Sequence, residues 1–205
     1  MIGFYNASVI ATYLSLASAL FGMYFAYNVQ IPQAMLCLMF SGFCDMFDGK
    51  IARHITRTKQ EQDFGIQLDS LADLVCFGVL PSVIGYALGL KQVYYIIILI
   101  LYVICGLIRL AYFNVTEQER QNVETTVRKY YEGLPITSVA LILPALFCFS
   151  KLIGGLFPIV YASALVLLAA AFIIRFKVKK PDNLMLVIML IAGIAVTAVL
   201  AVIYL

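Results

Sequence analysis

The chain reads as long apolar runs separated by short polar breaks, not as the alternation of apolar and polar positions that marks water-soluble helices and strands. A transmembrane helix needs about 20 mostly apolar residues. Seven runs reach or approach that length: Ser8–Ala26, Ile31–Ala52, Gly65–Leu88, Val93–Phe113, Leu134–Ile153, Phe157–Ile174 and Leu184–Tyr204. Most connections are short and rich in turn formers, as at Asn28 to Pro32, Gly89 to Lys91, Gly154-Gly155 and Pro181 to Asn183. Two are longer and polar, from Arg53 to Phe64 and from Thr116 to Gly133. The first run lacks a small-residue cleavage site after a short apolar core, so it is expected to remain as a membrane helix. No internal repeat or low-complexity segment breaks the pattern. It predicts an all-α fold, a polytopic membrane helix bundle of about seven transmembrane helices (range six to eight), with residues 1–205 forming one domain.

Composition agrees. The chain is 63% hydrophobic and 12% charged, against about 25% charged residues in ordinary soluble domains. A net charge of +3 is too small to suggest a nucleic-acid partner, but its distribution is informative. With seven spans, the connections after the second, fourth and sixth share one side of the membrane. They and the adjoining helix ends hold Lys50, Arg53, Arg57, Lys59, Arg109, Arg120, Arg128, Lys129, Arg175, Lys177, Lys179 and Lys180, leaving only Lys91 and Lys151 opposite. Cytoplasmic loops carry the excess of lysine and arginine. The amino terminus is therefore expected in the cytoplasm, in a multi-pass protein of the cell membrane. Cys37, Cys44, Cys76, Cys105 and Cys148 lie in apolar surroundings without metal-ligand spacing, and read as small buried hydrophobes. The single histidine, His54, lies among basic residues and reads as solvated surface.

Four of the six aspartates interrupt this apolar background, all within the second and third spans. A charge at the centre of a membrane helix costs roughly 2.5–3.5 kcal/mol on insertion scales and usually serves a function. Asp45 and Asp48 are three residues apart, Asp69 and Asp73 four apart, so each pair shares a helix face. The two helices are consecutive and antiparallel, with the pairs near the same end, so four carboxylates are expected to converge. They cannot all stay ionised there without cations or protons. Carboxylate oxygens suit hard cations, Mg²⁺ or Mn²⁺, with Ca²⁺ also compatible. Gly49 and Gly65 leave room for a ligand near the backbone, Ala52 and Ala72 keep the cleft open, and Arg53 can pair with phosphate oxygens. An ion path would instead spread its carboxylates through the membrane depth or place them on broken midplane helices. The pattern points to metal-assisted chemistry at a phosphate ester.

The segment Asp45-x2-Asp48-Gly49-x2-Ala52-Arg53, eleven residues, then Gly65-x3-Asp69-x3-Asp73 resembles the signature of the CDP-alcohol phosphotransferase family. It departs from that signature by three extra residues in the polar loop around Thr58–Asp63. The resemblance implies that Asp45, Asp48 and Asp69 coordinate two metal ions. Asp73 would both contact metal and act as general base, while Gly49, Ala52, Arg53 and Gly65 would line the CDP site. It also implies a homodimer, while the lysine and arginine distribution places the aspartates, and with them the active site, at the cytoplasmic face, in contact with membrane lipids.

Three further segments are similar to the serine-accepting branch of the family, the phosphatidylserine synthases. They are Asp69-Ser70-Leu71-Ala72-Asp73 through Pro81, Arg109-Leu110-Ala111-Tyr112-Phe113-Asn114, and Tyr131-Glu132-Gly133-Leu134-Pro135. The implied substrates are CDP-diacylglycerol and L-serine, with glycerol 3-phosphate or inositol as the alternative acceptor. Arg109 and Asn114 are candidate acceptor ligands, a cation and an amide for the serine carboxylate. Tyr112 and Cys76 depart from that branch, standing where it carries an arginine and a serine. In the first span, Thr12, Ser15, Ser18 and Gly22 recur along one side and are expected to serve helix packing.

Overall fold

The computed structural model describes residues 3–4, 7–53, 58–123, 130–179 and 183–204, with the side chains of 7–8, 48–53, 120–123, 130–131, 179 and 183–184 left aside. His54, Arg57, Arg128, Lys129 and Lys180 lie outside the described residues. The helices are α1 (Ala7–Tyr27), α2 (Ile31–Arg53), α3 (Lys59–Asp73), α4 (Leu80–Ala87), α5 (Val93–Val123), α6 (Val139–Phe147), α7 (Ser150–Ile153), α8 (Phe157–Ile173) and α9 (Asn183–Tyr204). A π-helical segment, Leu74–Val79, joins α3 to α4. Two three-residue strands, β1 (Tyr130–Glu132) and β2 (Lys177–Lys179), pair antiparallel with Glu132 opposite Lys177. The protein is an all-α membrane helix bundle carrying one small ribbon. Five helical stretches are long and apolar enough to cross a membrane, and the helices from Ile31 and from Ile136 are shorter apolar ones. It is a multi-pass membrane protein.

Three boundaries differ from the hydropathy pattern. The third helix begins at Lys59, six residues before the apolar run, because Thr58 and Glu61 form a capping box. The Thr58 hydroxyl accepts from the Glu61 N–H at 3.3 Å, and the Glu61 carboxylate accepts from the Thr58 N–H at 2.8 Å. The fifth helix runs on past Phe113 to Val123, through polar residues that hydropathy assigns to a loop. The run Leu134–Ile153 is not one helix. A 3-10 turn at Ile136–Ser138 leads into α6, which ends at Phe147, and α7 starts after a turn. The chain turns again at Gly154, whose φ of +62° suits glycine.

The core is filled by large side chains, among them Phe77, Leu80, Tyr102 and Tyr161, and small residues set its closest helix contacts. Along α1 and α2, a Cβ on Gly22 would sit 3.0 Å from the Cβ of Cys37, and one on Gly42 would sit 2.4 Å from the Cβ of Ala140 in α6. These approaches let backbones pack where lipid supplies no hydrophobic driving force. Polar side chains add to the same contacts. Ser18 Oγ donates to the Cys37 carbonyl at 2.9 Å, and Ser15 and Ser41 each donate to the other's backbone carbonyl, at 3.1 and 2.9 Å. The first-span serines and Gly22 therefore serve packing, as their spacing suggested. The ribbon ties the connection after α5 to the connection after α8, so both lie at one end of the bundle. Gly133 (φ +75°) makes that tie close: its N–H donates to the Phe176 carbonyl at 2.7 Å, and that of Leu134 to the Ala171 carbonyl at 3.1 Å.

Candidate metal centre and active site

The capping box fixes where α3 starts, and from there Gly65, Asp69 and Asp73 recur at four-residue intervals along one face. That face meets α2. Carboxylate oxygens of Asp45, Asp69 and Asp73 all lie within 4.8 Å of one another. The carboxyl groups of Asp45 and Asp73 approach within hydrogen-bonding range, and the charge of Asp69 bears on Asp45. Three of the four expected aspartates are thus brought together from two helices. Asp48 lies one turn beyond Asp45 on α2, ahead of Gly49, Ala52 and Arg53; their side chains lie outside the described residues.

The triad rests on a buried polar knot. Ser41, one turn before Asp45, is fully buried and exchanges its two hydrogen bonds with Ser15, while Ser15 Oγ lies 3.4 Å from Cys76 Sγ. Cys76, in turn, is three residues beyond Asp73. This knot pins α1, α2 and the helix after Asp73 at a common level. Sequence reading missed Ser41, for which the one available signal was a small polar residue a turn from Asp45.

The candidate acceptor residues fall on α5, which packs beside α3. Asn114 Oδ1 accepts a hydrogen bond from Ser70 Oγ at 3.0 Å, next to Asp69 in the chain. Its amide nitrogen is then what Asn114 offers a ligand, a donor suited to a carboxylate. Arg109 is buried, donates from Nε to the Leu134 carbonyl at 3.2 Å and stacks over Phe113 at 5.5 Å. It therefore braces the start of the α6 segment as well as carrying charge into the bundle. Tyr112 faces the ribbon: its hydroxyl donates to Glu132 at 2.9 Å, and the Arg175 guanidinium lies over its ring at 5.3 Å. Nothing in the sequence pattern pointed to Ser70 or Arg175 as partners of these residues.

The arrangement, carboxylates from two membrane helices closing on one point, matches hard-cation chemistry. Comparison with known proteins agrees: the sequence model of CDP-alcohol phosphatidyltransferase matches residues 5–175. The chain belongs to the CDP-alcohol phosphatidyltransferase family. Similar proteins include the CDP-diacylglycerol–serine O-phosphatidyltransferase of Saccharomyces cerevisiae, 45% identical over 113 residues, which cover 54% of this chain and 40% of that one. The protein of the same name from Bacillus subtilis is 41% identical over 91 residues, 43% of this chain and 50% of that one. That of Helicobacter pylori J99 is 34% identical over 133 residues, 62% of this chain and 51% of its own length. The matched part thus spans about half, or less, of these relatives. No solved structure matches the chain significantly. Members of this family generally use divalent metals, and the donor set of Asp45, Asp69 and Asp73 fits such an ion in both chemistry and spacing.

Proposed function

We propose that the protein transfers a phosphatidyl group from CDP-diacylglycerol to the hydroxyl of L-serine, giving phosphatidylserine and CMP. The convergence of Asp45, Asp69 and Asp73 carries this reading, in a family whose similar members bear that activity in their names. In it, Asp45, Asp48, Asp69 and Asp73 hold a pair of divalent cations, Mg²⁺ or Mn²⁺. Once bound, the cations offset the charge of the diphosphate and of the departing CMP.

The remaining work falls to the chain. Arg53 pairs with diphosphate oxygens, while Gly49, Ala52 and Gly65 leave space for the CDP moiety. Asp73 takes the proton of the serine hydroxyl as that oxygen bonds to the phosphorus carrying diacylglycerol. The bond from this phosphorus to the CMP oxygen breaks, and CMP leaves with the electron pair. A carboxylate suits this because an alcohol has a high pKa and must lose its proton as it attacks. Asn114, oriented by Ser70, and Arg109 favour the serine carboxylate. The reading places the active site at the cytoplasmic face with the amino terminus in the cytoplasm, as the lysine and arginine distribution supports. It treats residues 1–205 as one domain, working as a homodimer among membrane lipids.

The test is CMP release by the purified protein given CDP-diacylglycerol, Mn²⁺ and, separately, L-serine, glycerol 3-phosphate or inositol. Release with serine is expected. Release with another alcohol but not serine would overturn the acceptor assignment, and release with none would overturn phosphotransfer.

A further inference from the structure

The helix that carries Asp69 and Asp73 changes pitch immediately after Asp73. From Lys59 to Ala87 it is one continuous rod, α-helical to Asp73, π-helical over Leu74–Val79 and α-helical again from Leu80. Within the π segment the Leu80 N–H reaches back five residues to the Val75 carbonyl. The next residue, Pro81, has no N–H. The carbonyl four residues before it, that of Phe77, therefore has no α-helical donor.

Tyr102 supplies one. Its hydroxyl, on a fully buried ring of α5, donates to the Phe77 carbonyl at 2.6 Å. Around it Ser82 Oγ donates to the Gly78 carbonyl at 3.2 Å, and Tyr161 of α8 donates to the Pro81 carbonyl at 2.9 Å. The Tyr161 bond differs in kind, because the Pro81 carbonyl already belongs to the regular ladder of α4.

The half of the rod beyond the break is locked by packing. Leu80 and Ile84 are fully buried, and the Leu80 side chain fills the space beside Gly22 of α1. A π turn takes an extra residue per turn and so rotates the helix on its amino-terminal side relative to the helix beyond it. With one half locked, the pitch at Leu74–Val79 sets the direction in which Asp69 and Asp73 face Asp45.

We propose that Tyr102 and Pro81 are positioning residues of the metal centre, holding this π turn and through it the aim of Asp73. The proposal rests on reading the aspartates as a metal site. Pro81→Ala returns a donor to the Phe77 carbonyl and lets the turn close as ordinary α-helix. Its melting temperature is expected to hold or rise while Mn²⁺ binding weakens, a combination that loss of a merely structural contact does not give. Tyr102→Phe removes one oxygen and is expected to lower both. Because losing the groups that orient metal ligands costs about 10–100-fold in metal affinity or activity, we expect a loss of about tenfold or more in Mn²⁺ affinity and in turnover. Tyr161→Phe is the control: it loses a buried hydroxyl and some stability, yet keeps Mn²⁺ affinity within about twofold, since no carbonyl is left without a donor.

Mn²⁺ affinity is read by electron paramagnetic resonance titration of each full-length variant in detergent, without lipid substrate, beside thermal unfolding and CMP release. Wild-type Mn²⁺ midpoints in both Pro81→Ala and Tyr102→Phe overturn the positioning role while leaving the metal site standing. A wild-type protein without saturable Mn²⁺ binding overturns the metal reading itself, and this inference with it.

Discussion

Asp45→Asn separates a metal centre from a structural hydrogen-bonding carboxylate, because the two assign opposite signs to its effect on the stability of the metal-free protein. The oxygens of Asp45, Asp69 and Asp73 lie within 4.8 Å of one another. At that distance two like charges repel by about 3.5 kcal/mol at an effective dielectric constant of about 20. Without cations Asp45 meets two such neighbours. Proton uptake by the cluster relieves part of the repulsion, so neutralising Asp45 is expected to return about 1–3 kcal/mol to the metal-free protein. With the cation present, the same substitution removes one of the hard donors and weakens binding. The chain has no tryptophan but five free cysteines, with Cys44 and Cys76 buried, so a thiol-reactive fluorophore tracks thermal unfolding well. In chelator the variant is expected to melt several degrees higher than the wild type. Added Mn²⁺ should raise the wild-type midpoint and leave that of the variant nearly unchanged, while CMP release falls by about 10²-fold or more. A variant that melts lower in chelator and is still stabilised by Mn²⁺ would refute the argument, since Asp45 would then be a structural hydrogen-bonding residue.

Asp73→Asn is expected to keep CDP-diacylglycerol binding and lose turnover by about 10²–10⁴-fold, measured by lipid binding and CMP release on the same preparation; retained turnover would remove Asp73 from the role of base. Ser70→Ala frees the Asn114 amide to rotate, so the KM for serine should rise several-fold, roughly the loss of one hydrogen bond, with that for CDP-diacylglycerol unchanged. Gly42→Ala places a methyl group 2.4 Å from the Ala140 Cβ and should cost about 1–3 kcal/mol as overpacking, seen as a lower melting temperature. Val29→Gly relieves a β-branched residue held at φ +60° in the exposed turn between α1 and α2. It should gain about 1 kcal/mol, less the greater chain entropy of glycine, and a lower melting temperature would count against strain at that turn.

Much of the bundle was legible in the sequence, because lipid as solvent demands long apolar runs and leaves little freedom in where a helix crosses. The same demand made the aspartates conspicuous, and helical periodicity placed Asp69 and Asp73 on one face without any tertiary information. Hydropathy misjudged boundaries wherever something other than apolarity governed them. The capping box at Thr58 starts α3 in polar sequence, α5 continues through polar residues to Val123, and the 3-10 turn and early end of α6 divide an unbroken apolar run.

What the sequence alone determined was which residues share a helix and a face, since 3.6 residues per turn dictates it. Only the tertiary structure decided how those faces are turned toward one another. Ser41 and Ser15, Tyr102 and Tyr161 all act on backbone carbonyls, and a carbonyl accepts from any donor that packing brings near it. Such bonds leave no residue-type signature at the accepting position. The π turn after Asp73 left one trace, Pro81, but a proline says only that a donor is missing. That the missing donor arrives from α5, beside the aspartates, was settled by how the helices pack.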